Sequence, residues 1–205
     1  MRNLYFITIY LTCISCKGQV EKENRIEAKK LVNEAIECYS KAILEKNKDL
    51  NKCITIINNA ILVDSTYFKA YYDKIKLLAL KKDINGLLSN NEKMIELRPN
   101  QPIWKIQRGL FYELKGNKIE AEKFYSIGIS EYETLLKGEL NNDFNFRIEY
   151  MSSLETKGEI DKAKLELEKI DKDFPNNETV KAFKSDYKFK SKEQIIEYWK
   201  TGLIN

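Results

Sequence analysis

Apolar side chains recur along most of this chain at helical spacing. Ala121, Phe124, Tyr125, Gly128, Tyr132 and Leu135 stand on one helical stripe, and Ile160, Ala163, Leu167, Ile170 and Phe174 form another. Such a stripe lets a helix bury one face and solvate the other. Punctuation is sparse, with 3 prolines and 8 glycines in 205 residues. A β-sandwich needs a turn roughly every 8–12 residues, so the pattern predicts an all-α chain.

The opening residues follow a different pattern. Leu4 to Ile14 is apolar except for Thr8 and Thr12, and Met1-Arg2-Asn3 precedes it with a positive charge. That run falls short of the roughly 20 residues that span a bilayer, and has the length of a signal-peptide core. The junction Cys13-Ile14-Ser15-Cys16 resembles a bacterial lipobox, with Cys13 where Leu is usual. The resemblance implies that residues 1–15 are a cleaved leader, that Cys16 carries the lipid (palmitate among its chains), and that 16–25 form a tether. Lys17, where an Asp would favour inner-membrane retention, points to the outer membrane of the cell envelope. A plain secretory leader cut after Ser15, or an inner-membrane or cytosolic helix, are the alternatives.

Beyond residue 25 the punctuation is periodic. Gly116 and Gly158 lie in equivalent turns 42 residues apart, and so do Ala121 and Ala163. Cys53 and Leu87 continue the alanine series backwards at steps of 34, and Ala60, Met94, Gly128 and Ile170 form a parallel series. The additional eight residues fall near Leu136 to Asp143, which reads as a loop insertion. Pro99 and Pro175 close helices in the same frame.

Gly109-x-x-Tyr112, Gly116, Ala121-x-x-x-Tyr125 and Pro175 are similar to the tetratricopeptide repeat (TPR), a helix-turn-helix of about 34 residues. Met151 replaces the first-helix glycine in the last unit, and Trp104 stands one residue before the usual aromatic. The resemblance covers about 26–177 and implies a solenoid of about four units, near 26–67, 68–101, 102–143 and 144–177. Stacking is required because single repeats cannot close a core. Residues 178–205 then read as capping helices over the open end, with Ser191-x-x-Gln194 as a capping box. In TPR arrays the first helices line a concave groove. Transferred by the frame, that groove presents Lys69, Tyr72, Lys76, Ile103, Ile106, Leu110, Ile148 and Ser152.

Charge and chemistry narrow the function. The 35 basic and 31 acidic residues interleave, giving a formal net charge of +4 without a contiguous basic stripe, so nucleic-acid binding is not expected. Zero histidines removes histidine-based catalysis and histidine-ligated zinc. No phosphate loop or nucleophile elbow is present, so no enzyme activity, metal or cofactor is expected. Cys38 and Cys53 read as small buried residues, pairing being the alternative in an oxidising compartment. The tyrosines and Trp104 and Trp199 read as core.

The resemblances together imply a non-catalytic, membrane-tethered interaction module that binds a peptide or an envelope protein. The mixed apolar and basic groove suits a peptide with some acidic residues. It lacks the Lys/Asn set with which chaperone-binding TPRs clamp a terminal carboxylate. The alternatives are a solute-binding lipoprotein for glycans or peptides, or an immunity-type lipoprotein. The single insertion of about eight residues argues against glycan binding, since the glycan-binding relatives build their sites from long loops.

Overall fold

The structure, a computed structural model, describes the backbone of residues 4–44 and 50–202 and the side chains of 19–44 and 50–201. Every regular element among the described residues is helical. The chain divides into two compact units between Lys81 and Lys82.

The first unit contains α1 (Leu4–Leu44), α2 (Leu50–Val63) and α3 (Phe68–Leu80). Its leading helix does not start near Ile26 as the frame suggested: α1 runs unbroken through 16–25. Residues 19–30 are mostly good helix formers, and Gln19 donates to Glu23 one turn on, at 3.2 Å. Ala28, Val32 and Ala35 of α1 pack with Leu50, Cys53, Ile57 and Ala60 of α2 and with Ala70 and Leu77 of α3. Small residues dominate the α1 stripe, which lets the helices approach closely. Cys38 and Cys53 are joined in a disulfide with their Cα atoms 5.5 Å apart. This corrects the expectation of two independent buried cysteines. Arg25 closes the other end of the unit, pairing with Asp64 and donating to Thr66 Oγ1 at 2.9 Å.

The second unit contains α4 (Ile84–Leu97), α5 (Ile103–Leu114), α6 (Lys118–Leu135), a 3₁₀ turn (Glu139–Asn142), α7 (Phe144–Lys157), α8 (Ile160–Asp173), α9 (Glu178–Asp186), α10 (Lys192–Glu197) and a π turn (Tyr198–Gly202). The eight-residue insertion is thus the 3₁₀ turn and its flanks. The α5 and α6 helices cross where side chains are absent. A Cβ on Gly109 would stand 2.6 Å from the Tyr125 ring, and one on Gly128 would stand 2.7 Å from Ile106 Cδ1. Around this crossing Ile106, Leu110, Ala121, Tyr125, Tyr132, Met151, Leu154, Ala163 and Leu167 form one core.

Equivalent positions have equivalent structure. Lys82, Gly116 and Gly158 all adopt positive φ, at 56°, 82° and 99°. The following Asp83 and Asn117 cap α4 and α6, accepting from Gly86 N and Glu120 N. Cys53, Leu87, Ala121 and Ala163 are buried, as are Ala60, Met94 and Ile170. An ion pair also recurs: Lys105 with Glu131, and Arg147 with Asp173, each at 2.6 Å. One difference from a plain repeat array is the division itself. Helices α3 and α4, expected to pair as one hairpin, belong to different compact units.

Candidate functional site

Cys16, the expected lipid site, lies outside the residues whose side chains are described. Among the described residues no helix is long and apolar enough to cross a membrane.

The first unit carries a groove between α1 and α3. Ala35, Ile36, Tyr39 and Ser40 of α1 form one wall, Ile57 of α2 the floor, and Asp73, Lys76 and Leu77 of α3 the other wall, around about 110 Å³. Buried alanines on the α1 stripe leave Ile36 and Ile43, one repeat of seven apart, partly open to solvent. The three groove residues expected on α3 all face outward: Lys69 and Lys76 are exposed, and Tyr72 keeps 46% of its surface. Lys69 pairs with Asp73 one turn on, so the α3 wall presents both signs of charge. The sequence reading missed the α1 wall. Ile36, Tyr39 and Ile43 at i, i+3 and i+7 were the available signal, a second apolar stripe beside the buried one.

The α5 positions are corrected. Ile106 is 2% exposed and Leu110 4%, so both are core residues. Ile106 fills the notch left by Gly128, and Leu110 belongs to the same core. Ile103 and Ile148 are half-buried, with Ile103 packed against that core. Ser152 is half-buried on α7 and lines a cavity of about 450 Å³ with Glu155, Thr156, Tyr187, Lys190, Tyr198 and Trp199.

That cavity shows why the groove of the second unit differs from expectation. The chain after α9 returns along the first-helix face. While α9 packs on α8 over the end of the unit, α10 packs on α5 and α7. Glu155 accepts hydrogen bonds from the Tyr187 hydroxyl and the Lys190 backbone N–H. Lys192 pairs with Glu113 of α5, and its ammonium sits 5.0 Å from the centre of the Tyr125 ring. Trp199 meets Phe111 edge-on at 5.5 Å. Burial, together with the hydrogen bond to Glu155, raises the Tyr187 pKa above the ordinary tyrosine value, so this hydroxyl stays a donor throughout the physiological range. The sequence signal was limited to the capping box, which the structure shows at Ser191 and Gln194. Nothing local to residues 187–199 tells that they fold back.

Arg147 anchors the α7 end of this face. It is 2% exposed and reaches Glu166 at 2.7 Å and Asp173 at 2.6 Å. Burial alone would lower its pKa, but hydrogen bonds to Asp173 and Glu166 more than offset this and raise it. Below it, Tyr132 donates to Glu149 at 2.6 Å. Burial raises the Glu149 pKa, and Tyr132 opposes the rise. These polar groups satisfy one another and lock α6, α7 and α8 together, which gives them a structural role.

No known family profile matches the chain, and no characterised protein is similar to it in sequence.

Proposed function

We propose that this chain is a TPR-like interaction module of a bacterial cell envelope, held to the membrane by lipid on Cys16 and binding a peptide or protein partner without catalysis. The observation that carries the reading is the α1/α3 groove. It combines an apolar floor at Ile57 with the partly exposed Ile36 and Tyr39 on α1 and with Asp73, Lys76 and Leu77 on α3, and Tyr72 stands exposed on the same α3 helix. Aromatic and aliphatic anchors beside a cation suit an extended or helical segment carrying some acidic side chains. The shared turn conformation at Lys82, Gly116 and Gly158 supports the repeat frame. The Cys38–Cys53 disulfide supports export, since such bonds persist in oxidising compartments.

The test is photo-crosslinking in cells with the reactive residue at position 72 or 76. One partner should be captured at both positions and lost when Ile36→Asp is added. Capture that ignores Ile36→Asp, or no capture at either position, rejects the groove. Labelling with radioactive palmitate, abolished by Cys16→Ala, tests the anchor separately.

A further inference from the structure

We propose that the α5/α7 face of the second unit is a binding site for peptides that present aromatic side chains and a lysine, and that the chain's own residues 187–199 occupy it. The inference stands on the second unit alone and is independent of the α1/α3 groove.

The resident segment reads Tyr187-Lys188-Phe189-Lys190-Ser191-Lys192 and continues into α10. It engages the face through the contacts a bound peptide would make. Two carboxylates do the receiving. Glu155 takes a side-chain hydroxyl and a backbone N–H from it, and Glu113 takes the Lys192 ammonium. Those carboxylates stand 42 residues apart in the chain, at equivalent positions of α5 and α7. Glu155 is only 5% exposed, and the Glu113 side chain only 8%. A carboxylate at such depth is costly without a donor, because burial strips its water. Whatever segment covers these carboxylates must therefore bring cations or N–H groups to them, and Trp199 against Phe111 adds an apolar anchor.

The occupant itself is weakly built. Its helix, α10, has six residues, far below the length at which an isolated helix holds. Lys188, Lys190, Ser191 and Glu193 are exposed, and the side chains that hold the segment, Tyr187, Phe189, Ile195, Ile196 and Trp199, pack against the core while staying only partly buried. Local opening concentrates in such elements. A second segment of the same chemistry then competes for the same acceptors. Ligand polarity follows from the face: an acidic peptide would set its carboxylates against Glu113 and Glu155 and is excluded.

The experiment places a protease recognition sequence between Asp186 and Tyr187 of the full chain and cleaves it after folding. The expected result is that the released segment dissociates on dilution while the body keeps its helical circular dichroism. A fluorescein-labelled peptide of residues 187–202 should rebind the emptied body, and should bind uncleaved protein at least tenfold more weakly. Lys192→Glu in the peptide, or Glu155→Gln in the body, should each weaken rebinding at least tenfold. Loss of the helical signal when the segment leaves would show that it is core and overturn the proposal. So would a segment that never exchanges with excess labelled peptide, or rebinding indifferent to both substitutions.

Discussion

The two compact units follow one local pattern, and their first-helix faces differ in charge and in what covers them. Both pack small residues at helix crossings, Ala28 and Ala35 in the first unit and Gly109, Ala121 and Gly128 in the second. In the first unit the face made by α1 and α3 is open, carries Lys69, Tyr72 and Lys76, and lies beside a covalent link between α1 and α2. In the second unit the face made by α5 and α7 carries Glu113 and Glu155 and is filled by the chain's own Tyr187–Trp199 stretch. The means of stabilisation differ as well. An 81-residue unit of three described helices has a small core, for which a disulfide is an effective supplement. The second unit has a larger core and an ion triad centred on the buried Arg147. The difference teaches that local periodicity dictates which positions of a helix are apolar, while what covers them depends on the rest of the chain.

That contrast is measurable because both tryptophans, Trp104 and Trp199, lie in the second unit. Tryptophan fluorescence reports that unit alone, and circular dichroism reports both. The largest effect is expected at Arg147. Arg147→Ala leaves Glu166 buried, with only Lys169 at 3.7 Å to compensate. Breaking a buried pair costs about 3–5 kcal/mol, so the fluorescence-detected transition should fall steeply. Adding Glu166→Leu should recover much of the loss, since the stranded charge is then gone. Equal shifts in both detection modes would show that the units unfold as one.

The complementary perturbation removes the disulfide. A closed loop of 15 residues is worth about 3 kcal/mol in the chain-entropy account. Reduction, or Cys38→Ser with Cys53→Ser, should therefore lower the first unit's transition by on the order of 15 °C. Circular dichroism should register this shift while tryptophan fluorescence stays put.

Much of this fold was legible from the chain because its signals are local. The stripe through Ala121, Tyr125 and Tyr132 and the glycines at 116 and 158 mark helices and turns without reference to anything distant. The core series at Cys53, Leu87, Ala121 and Ala163 is buried as the frame requires. Most of the differences are long-range. Ile106 and Leu110 sit at groove positions of the frame, yet Gly128 opposite and the surrounding core bury them. Pairing of Cys38 with Cys53 depends on how two helices are offset, which a spacing of 15 residues does not state. The acidic, self-occupied face could not be read from a charge balance in which both signs interleave. Lys82 was missed for a local reason: the frame was traced through glycines, and this turn has none.

Lys82 yields the next prediction, at the boundary of the two units. A non-glycine residue in the left-handed region costs roughly 1–2 kcal/mol, and a glycine costs roughly 0.5–1 kcal/mol in chain entropy. Lys82→Gly should therefore stabilise by roughly 0.5–1 kcal/mol. Gly116→Ala should do the reverse by about the same amount, purely through the backbone, because a Cβ there meets nothing within 4 Å. Opposite signs in thermal melts would show that the two turns are the same structural position. A destabilising Lys82→Gly would mean that the lysine side chain is needed there.

The smallest effect concerns acid stability and again separates the units. In the first, Asp64 accepts from the Thr66 N–H and hydroxyl and pairs with Arg25, which also lies 5.0 Å over the Tyr67 ring. Burial alone would raise its pKa, but the bonds from Arg25 and Thr66 outweigh that and hold it below the ordinary value of 3.8. A carboxylate whose folded pKa is depressed adds stability that is fully present above its unfolded pKa. That stability is lost as the pH falls through the folded value, because the unfolded chain then binds the proton more readily. Half of the Arg25 side chain remains in solvent, so the pair contributes at most about 1 kcal/mol. In the second unit Glu149 has the opposite sign: burial raises its pKa, so acid relieves a penalty there. Between pH 5 and 3, wild-type stability in the first unit should fall more steeply than that of Arg25→Ala, with fluorescence-detected stability unchanged by the substitution. Identical pH slopes for wild type and Arg25→Ala in circular dichroism would remove Arg25 as the cause of the Asp64 shift, and with it the clamp from α1 onto the α2–α3 turn.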